Sequence, residues 1–115
     1  MRRDAQRLRD VLEALESISR ILGNRTETDF LGDETVRYAV AQRLTVIGEA
    51  AARLSPQIRQ RHASVPWPDI IAFRNFLVLE YFGIHWPSVW VTATEQAPRL
   101  LIRFIEMLRQ EEDLT

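Results

Sequence analysis

Two side chains in one stretch of this 115-residue chain have the types and spacing for chemistry on a phosphate. They are Arg74 and Tyr81, in the run Arg74-Asn75-Phe76-Leu77-Val78-Leu79-Glu80-Tyr81-Phe82-Gly83. A separation of seven residues is almost two helical turns, so on a helix both side chains fall on one face. A permanent cation beside a phenol can grip a phosphate and stack on a base or ribose. Asn75 can bridge helices or orient Arg74. The competing reading makes Arg74 and Tyr81 ordinary interface residues of an apolar helix.

Other chemistries find little support. His62 and His85 lack partners at ligand spacing, and there is no Cys. No His-x3-His and no clustered carboxylates suggest a metal site. There is no glycine-rich phosphate loop, and no Ser nucleophile has a visible base. The expectation is a site without metal or cofactor. His85 is placed to cap or flank the last helix.

Composition narrows the class. A chain of this length suits one compact domain over residues 1–115, large enough for a core without staples. The absence of Cys rules out disulfides and thiolate metal sites. No signal peptide is visible and no apolar run approaches the roughly 18 residues of a membrane span, so the reading is cytoplasmic, with no membrane partner. Net charge is −1, which gives no global pull toward nucleic acid. The local pattern says more. All 15 basic residues are Arg, planar forks suited to phosphate or carboxylate. Between Arg53 and Arg74, four Arg (53, 59, 61, 74) face one acid, Asp69. That excess is either a patch ahead of the key stretch or a solvated loop surface.

These residues must be carried by helices. Leu8, Val11, Leu12, Leu15, Ile18 and Leu22 recur at three- and four-residue steps, predicting a helix over 2–22 that Gly23-Asn24 stops. A polar connection follows, with Phe30 and Leu31 as anchors. Asp33 reads as the N-cap of a helix over 34–54, whose stripe is Val36, Val40, Leu44, Ile47, Ala51 and Leu54. Gly48, Ala50, Ala51 and Ala52 make part of it small enough for close approach by another helix. Glu49, inside this part, is an exposed carboxylate or a partner for an Arg near the site. Pro56 to His62 suggests one short turn. Val65-Pro66-Trp67-Pro68 opens a third helix expected to run to about residue 82, to be the most buried, and to stop at Gly83. Val89, Trp90, Ala93, Ala97, Leu100, Leu101, Phe104, Ile105 and Leu108 give the core face of the last segment. Pro98 should kink or break it near 96–98, and Glu111-Glu112-Asp113 should fray. With no period-2 strands, the expectation is all-α: an up-and-down bundle of four to five helices.

Arg-Asn-x-Leu-Val-x-x-Tyr-Phe-Gly-Ile at 74–84 resembles the active-site segment of HEPN-superfamily proteins, in particular the HepT-like toxins of HepT–MntA toxin–antitoxin pairs. Val-Ile-Gly-Glu-Ala-Ala at 46–51, Val-Pro-Trp-x-x-Ile at 65–70 and Val-Trp at 89–90 extend the resemblance over nearly the whole chain. The family pattern is Arg-x4-His-x-Tyr. Arg74 and Tyr81 match it; Leu79 stands where the motif His would be.

The resemblance implies a HEPN-like bundle and metal-independent RNA cleavage in a type VII-like toxin–antitoxin system. Such cleavage needs a base for the 2′-OH, an acid for the leaving oxygen and a cation for the phosphorane. Arg74 would supply the cation, Arg74 and Asn75 would bind RNA, and Tyr81 would position it. Leu79 carries no proton, so RNase activity should be weak or absent: losing a general acid–base group typically costs 10²–10⁴-fold. His62 or His85 could replace the missing group only if folding brought one close. A single loss in an otherwise intact motif suits a degenerate member or a disarmed one. The implied partners are RNA, a second copy of the chain and an MntA-like nucleotidyltransferase antitoxin that adds AMP to Tyr81. Position 79 lies about 140° from Arg74 on a regular helix, so a cleft shared in a homodimer would help present all three positions. The alternatives are a non-catalytic HEPN module that binds RNA or a nucleotidyltransferase, and a structural helical adaptor.

Overall fold

The computed structural model describes residues 2–78 and 83–114. Among them every regular element is helical. Helix α1 (Arg2–Leu22) buries Leu8, Val11, Leu12, Leu15, Ile18 and Leu22, while Arg3, Arg9, Glu13, Glu16 and Arg20 face solvent. It ends at Gly23, whose φ of 50° lies in the left-handed region and whose N–H donates to the Ser19 carbonyl at 3.0 Å.

The connection that follows is more ordered than its polar composition suggests. Thr26 and Asp29 form a reciprocal capping box, Asp29 N–H to Thr26 Oγ1 at 3.2 Å and Thr26 N–H to Asp29 Oδ2 at 3.0 Å. The box starts a short helix, α2 (Glu27–Leu31), which seats Phe30 in the core. Leu31, the other expected anchor, is exposed. Asp33 caps α3 (Glu34–Ala52) through Val36 N–H, as expected, and the whole predicted stripe from Val36 to Leu54 is buried.

Ser55 and Pro56 begin α4 (Pro56–Arg61), and α5 (Trp67–Ile71) follows. The expected helix over 66–82 does not form as one piece. After Ile71 the chain tightens into a 3-10 segment, Ala72–Asn75, and then turns at 76–77. Nor is it the most buried helix: Ile70 and Phe73 are core residues, but Val78 is 66% exposed. The reason is tertiary. α3 meets this segment at Gly48, where an added Cβ would lie 2.4 Å from the Arg74 nitrogen and 2.9 Å from the Ile71 carbonyl oxygen. The small-residue stretch thus admits the backbone itself, and this close contact fixes the path of 71–74 more strongly than local helix preference does.

The last rod combines α6 (Trp86–Val91), a π-helical turn (Thr92–Gln96) and α7 (Ala97–Asp113). Pro98 offers no N–H to the Thr94 carbonyl. The chain widens one turn upstream, where Ala97 N–H donates to the Thr92 carbonyl, and it stays helical instead of breaking. Ile105, expected in the core, is 43% exposed, and Met107 takes the buried place.

α1 packs on α3 and α7, α2 on α3 and α6, and α5 with its 3-10 extension on α3. Two buried carboxylates tie one end of the bundle together. Asp4 accepts from the Ser55 N–H at 2.9 Å and from Ser55 Oγ at 2.6 Å. Glu111, expected in a frayed tail, is 4% exposed and accepts from both Arg61 Nε, at 3.1 Å, and Arg61 Nη2, with His62 Nε2 at 2.9 Å. The Arg61 guanidinium, followed by the His62 ring, holds the Glu111 carboxyl below the usual glutamate range against the opposing effect of burial. Glu112 pairs with Arg9 at 3.1 Å, so the acidic end is docked.

Candidate functional site

Arg74 is built into the fold by its backbone. The 3-10 segment holds its nitrogen and Cα against Gly48 of α3, and the side chain leaves this contact exposed to solvent. Among the described residues no carboxylate pairs with it. A guanidinium with an anchored root and an open fork can receive an anionic ligand without first breaking an ion pair. Asn75, the next residue, is also exposed. The structure therefore puts the two expected RNA contacts side by side at the end of the 3-10 segment. Leu79 and Tyr81, the other two expected site residues, lie outside the described residues.

The Arg excess between residues 53 and 74 is dispersed. Arg61 is committed to Glu111, and its guanidinium is made harder to deprotonate by that carboxylate. Arg53 faces a groove between α1 and α3 that Arg7, Arg20, Arg43 and Glu49 also line. Glu49 stays exposed there and makes no ion pair with Arg74 among the described residues. Arg59 contributes its carbonyl, which accepts from Trp67 Nε1 at 3.2 Å. A patch read from sequence proximity is thus spread by the turns at 53–56 and 62–66 onto different faces.

Both histidines have structural partners. His62 is held by Glu111, and His85 caps α6 with Nδ1 accepting from Ser88 N–H at 3.3 Å and lying 2.6 Å from Ser88 Oγ. The capping expectation for His85 is met. Among the described residues no group of three or more His, Asp or Glu is arranged to hold a metal ion. No helix there is long and apolar enough to cross a membrane.

One cluster escaped the sequence reading. Where the chain re-enters α6, Trp86 meets Tyr38 of α3 edge-on, with ring centroids 5.0 Å apart, and Phe30 at 6.3 Å. The Arg37 guanidinium lies 5.2 Å from the Trp86 ring centroid. Trp90 closes the inner side against Phe30 at 5.3 Å. The available signal was the adjacent pair Arg37-Tyr38, which falls off the apolar stripe of α3.

The family model described as "Ribonuclease HepT-like" matches residues 11–108. A "Probable ribonuclease HepT" of Thermococcus cleftensis is 33% identical over 103 residues, 90% of this chain and 93% of that protein. A protein named "Putative RNase" from Caldanaerobacter subterraneus subsp. tengcongensis is 35% identical over 95 residues, 83% of this chain and 84% of its own length. Another of that name, from Methanocaldococcus jannaschii, is 30% identical over 105 residues, 91% of this chain and 87% of its own. No solved structure gives a significant match.

Proposed function

Since this chain belongs to the HepT-like ribonuclease family of the HEPN superfamily, we propose that it engages RNA at a cleft built on Arg74, Asn75, position 79 and Tyr81. The observation that carries this reading is Arg74: exposed, rooted by its backbone on Gly48, and unpaired among the described residues. Its fork would bind a scissile phosphate and stabilise the charge that builds on the phosphorane as the ribose 2′-oxygen attacks phosphorus. The 2′-hydroxyl would pass its proton to a base, and the 5′-oxygen would leave with a proton. That proton needs a donor, and Leu79 has none to give. His62 and His85 are engaged with Glu111 and Ser88.

The chain is thus the RNase-type toxin half of a toxin–antitoxin pair, weakened or silent in cleavage while still able to hold RNA. It works as a homodimer with the cleft at or near the two-fold interface, and its cognate partner is an MntA-like nucleotidyltransferase. AMP on Tyr81 would add a negative phosphodiester that competes with RNA for Arg74. Leu79 specifically favours the neighbouring reading, a non-catalytic module that binds RNA or the nucleotidyltransferase.

One experiment separates these. The natural chain and Leu79→His are incubated with a mixed-sequence RNA, and cleavage and binding are measured together. The expected result is RNA binding by both and strong cleavage only by Leu79→His. A folded Leu79→His protein that binds RNA without cutting it leaves the binding module. Loss of all RNA binding would refute both.

A further inference from the structure

The cluster around Trp86 has an open side. Tyr38 is 37% exposed although Trp86 meets it in a T-shaped contact. Trp86 is itself only half-buried, and Arg37 covers it with a guanidinium whose Nη1 is tied to the Leu31 carbonyl. A core aromatic would be buried throughout; Tyr38 is set against Trp86 and still leaves over a third of its surface to solvent, surface on which a base can stack.

Its position relative to Arg74 gives it a use. Tyr38 and Gly48 lie ten residues apart on α3, about 15 Å at 1.5 Å per residue. Arg74 is seated on Gly48, and Trp86 stands beside Tyr38. One part of α3 therefore lies by a guanidinium unpaired among the described residues, and another carries an exposed aromatic ring against Trp86. A single strand at the duplex rise of about 3.4 Å covers 15 Å in roughly four nucleotides. Glu34, exposed one turn before Tyr38, sets a negative charge at the far end, so a strand reaching Tyr38 runs back toward Arg74 and not onward along α3.

We propose that Tyr38, set against Trp86, which Arg37 in turn covers, is a stacking subsite for an unpaired base of RNA, a few nucleotides from the phosphate held by Arg74. This rests on the RNA reading of Arg74 given above and extends it: the ligand is single-stranded, because a base within a duplex offers no free face to the ring. Duplex RNA of the same length binds more weakly.

The test uses a fluorescent single-stranded 12-mer RNA and its duplex. The proteins are the natural chain, Tyr38→Ala, Tyr38→Leu, Tyr38→Phe and Arg74→Ala. Tyr38→Leu keeps the apolar contact with Trp86 should Tyr38→Ala fold poorly. Removing the ring is expected to weaken single-strand binding at least fivefold, up to about a hundredfold, with the salt dependence unchanged because no phosphate contact is lost. Tyr38→Phe is expected to bind as the natural chain does. Arg74→Ala is expected to weaken binding and lower the salt slope by about one. Normal binding by folded Tyr38→Leu, with Arg74→Ala impaired, would overturn the subsite and spare the parent reading. RNA binding absent in every protein, or indifferent to Arg74, would overturn both. Loss of self-association in Tyr38→Leu with RNA binding intact would make the cluster a protein interface and overturn the subsite.

Discussion

Gly48→Ala tests whether the candidate site is positioned by backbone contact. The new methyl would stand 2.4 Å from the Arg74 nitrogen, 2.9 Å from the Ile71 carbonyl oxygen and 3.1 Å from the Arg74 Cα. Ordinary contact begins near 3.4 Å, so the shortest approach is about 1 Å too close. All three atoms are backbone, so no side-chain rotation relieves the clash; α3 and residues 71–74 must separate. Helix preference alone favours Ala over Gly by about 1 kcal/mol. Overpacking typically costs about 1–3 kcal/mol, and a rigid backbone on both sides puts this case at the upper end. The net loss is then about 1–2 kcal/mol, or roughly 4–8 °C in melting temperature for a chain of this size. Because the displaced atoms root Arg74, RNA binding should weaken as well. Gly32→Ala is the control: its φ is negative and an added Cβ meets backbone no closer than 3.4 Å. Thermal unfolding and RNA titration of the two variants read the outcome. A Gly48→Ala protein that melts at or above the natural temperature and binds RNA normally would refute the idea that this contact sets the path of the 3-10 segment.

Glu111→Ala should lower stability by about 1–3 kcal/mol in equilibrium urea unfolding, as charged hydrogen bonds to Arg61 and His62 are lost; partial exposure of Arg61 keeps the figure below that of a fully buried pair. Glu111 also gives the fold an acid limb. Its carboxyl is held low in the folded state, so the unfolded chain binds the proton more readily, and stability rises with pH through this region. That contribution is complete above the ordinary glutamate range, fades as pH falls through the depressed folded value, and should be missing from urea titrations of Glu111→Gln at successive pH values. Asp4→Ala should cost about 1–3 kcal/mol by the same unfolding measurement, since it strips the Ser55 N–H of its acceptor in a buried setting.

Much of the fold was legible because apolar residues repeat at helical steps. The stripes of α1 and α3 were read residue for residue, as were the Gly23 stop and the Asp33 cap, since caps and stripes are local physics. What was not legible came from partners far away in sequence. Nothing in Glu111-Glu112-Asp113 says that Arg61 and His62, about fifty residues earlier, will draw the first of these acids into the interior. Residues 69–82 contain neither Gly nor Pro, so their helix looked uninterrupted; the contact that reshapes it belongs to Gly48. The small stretch around Gly48 did announce a close approach, though not that the neighbour would be the backbone of Arg74. For the site, the sequence offers Arg74 and Asn75 as candidates, and both side chains are exposed. It overcounted the Arg patch, because linear neighbours at 53, 59 and 61 are parted by turns.

The π-helical turn at Thr92–Gln96 gives the last rod a spare residue. Val89 and Ala97 are both buried, eight positions apart. In an unbroken α-helix, eight steps of about 100° would set them roughly 80° apart, toward opposite edges of a core-facing stripe. The wide turn absorbs that difference. Removing a single residue from this segment would leave seven steps, about 20° from two full turns, so an ordinary α-helix would again present both faces inward. Elsewhere in α1, α3 or α7 the same deletion would rotate half a helix away from its partners. The rod is therefore most tolerant of a change in length at the point where its hydrogen-bond ladder is least regular.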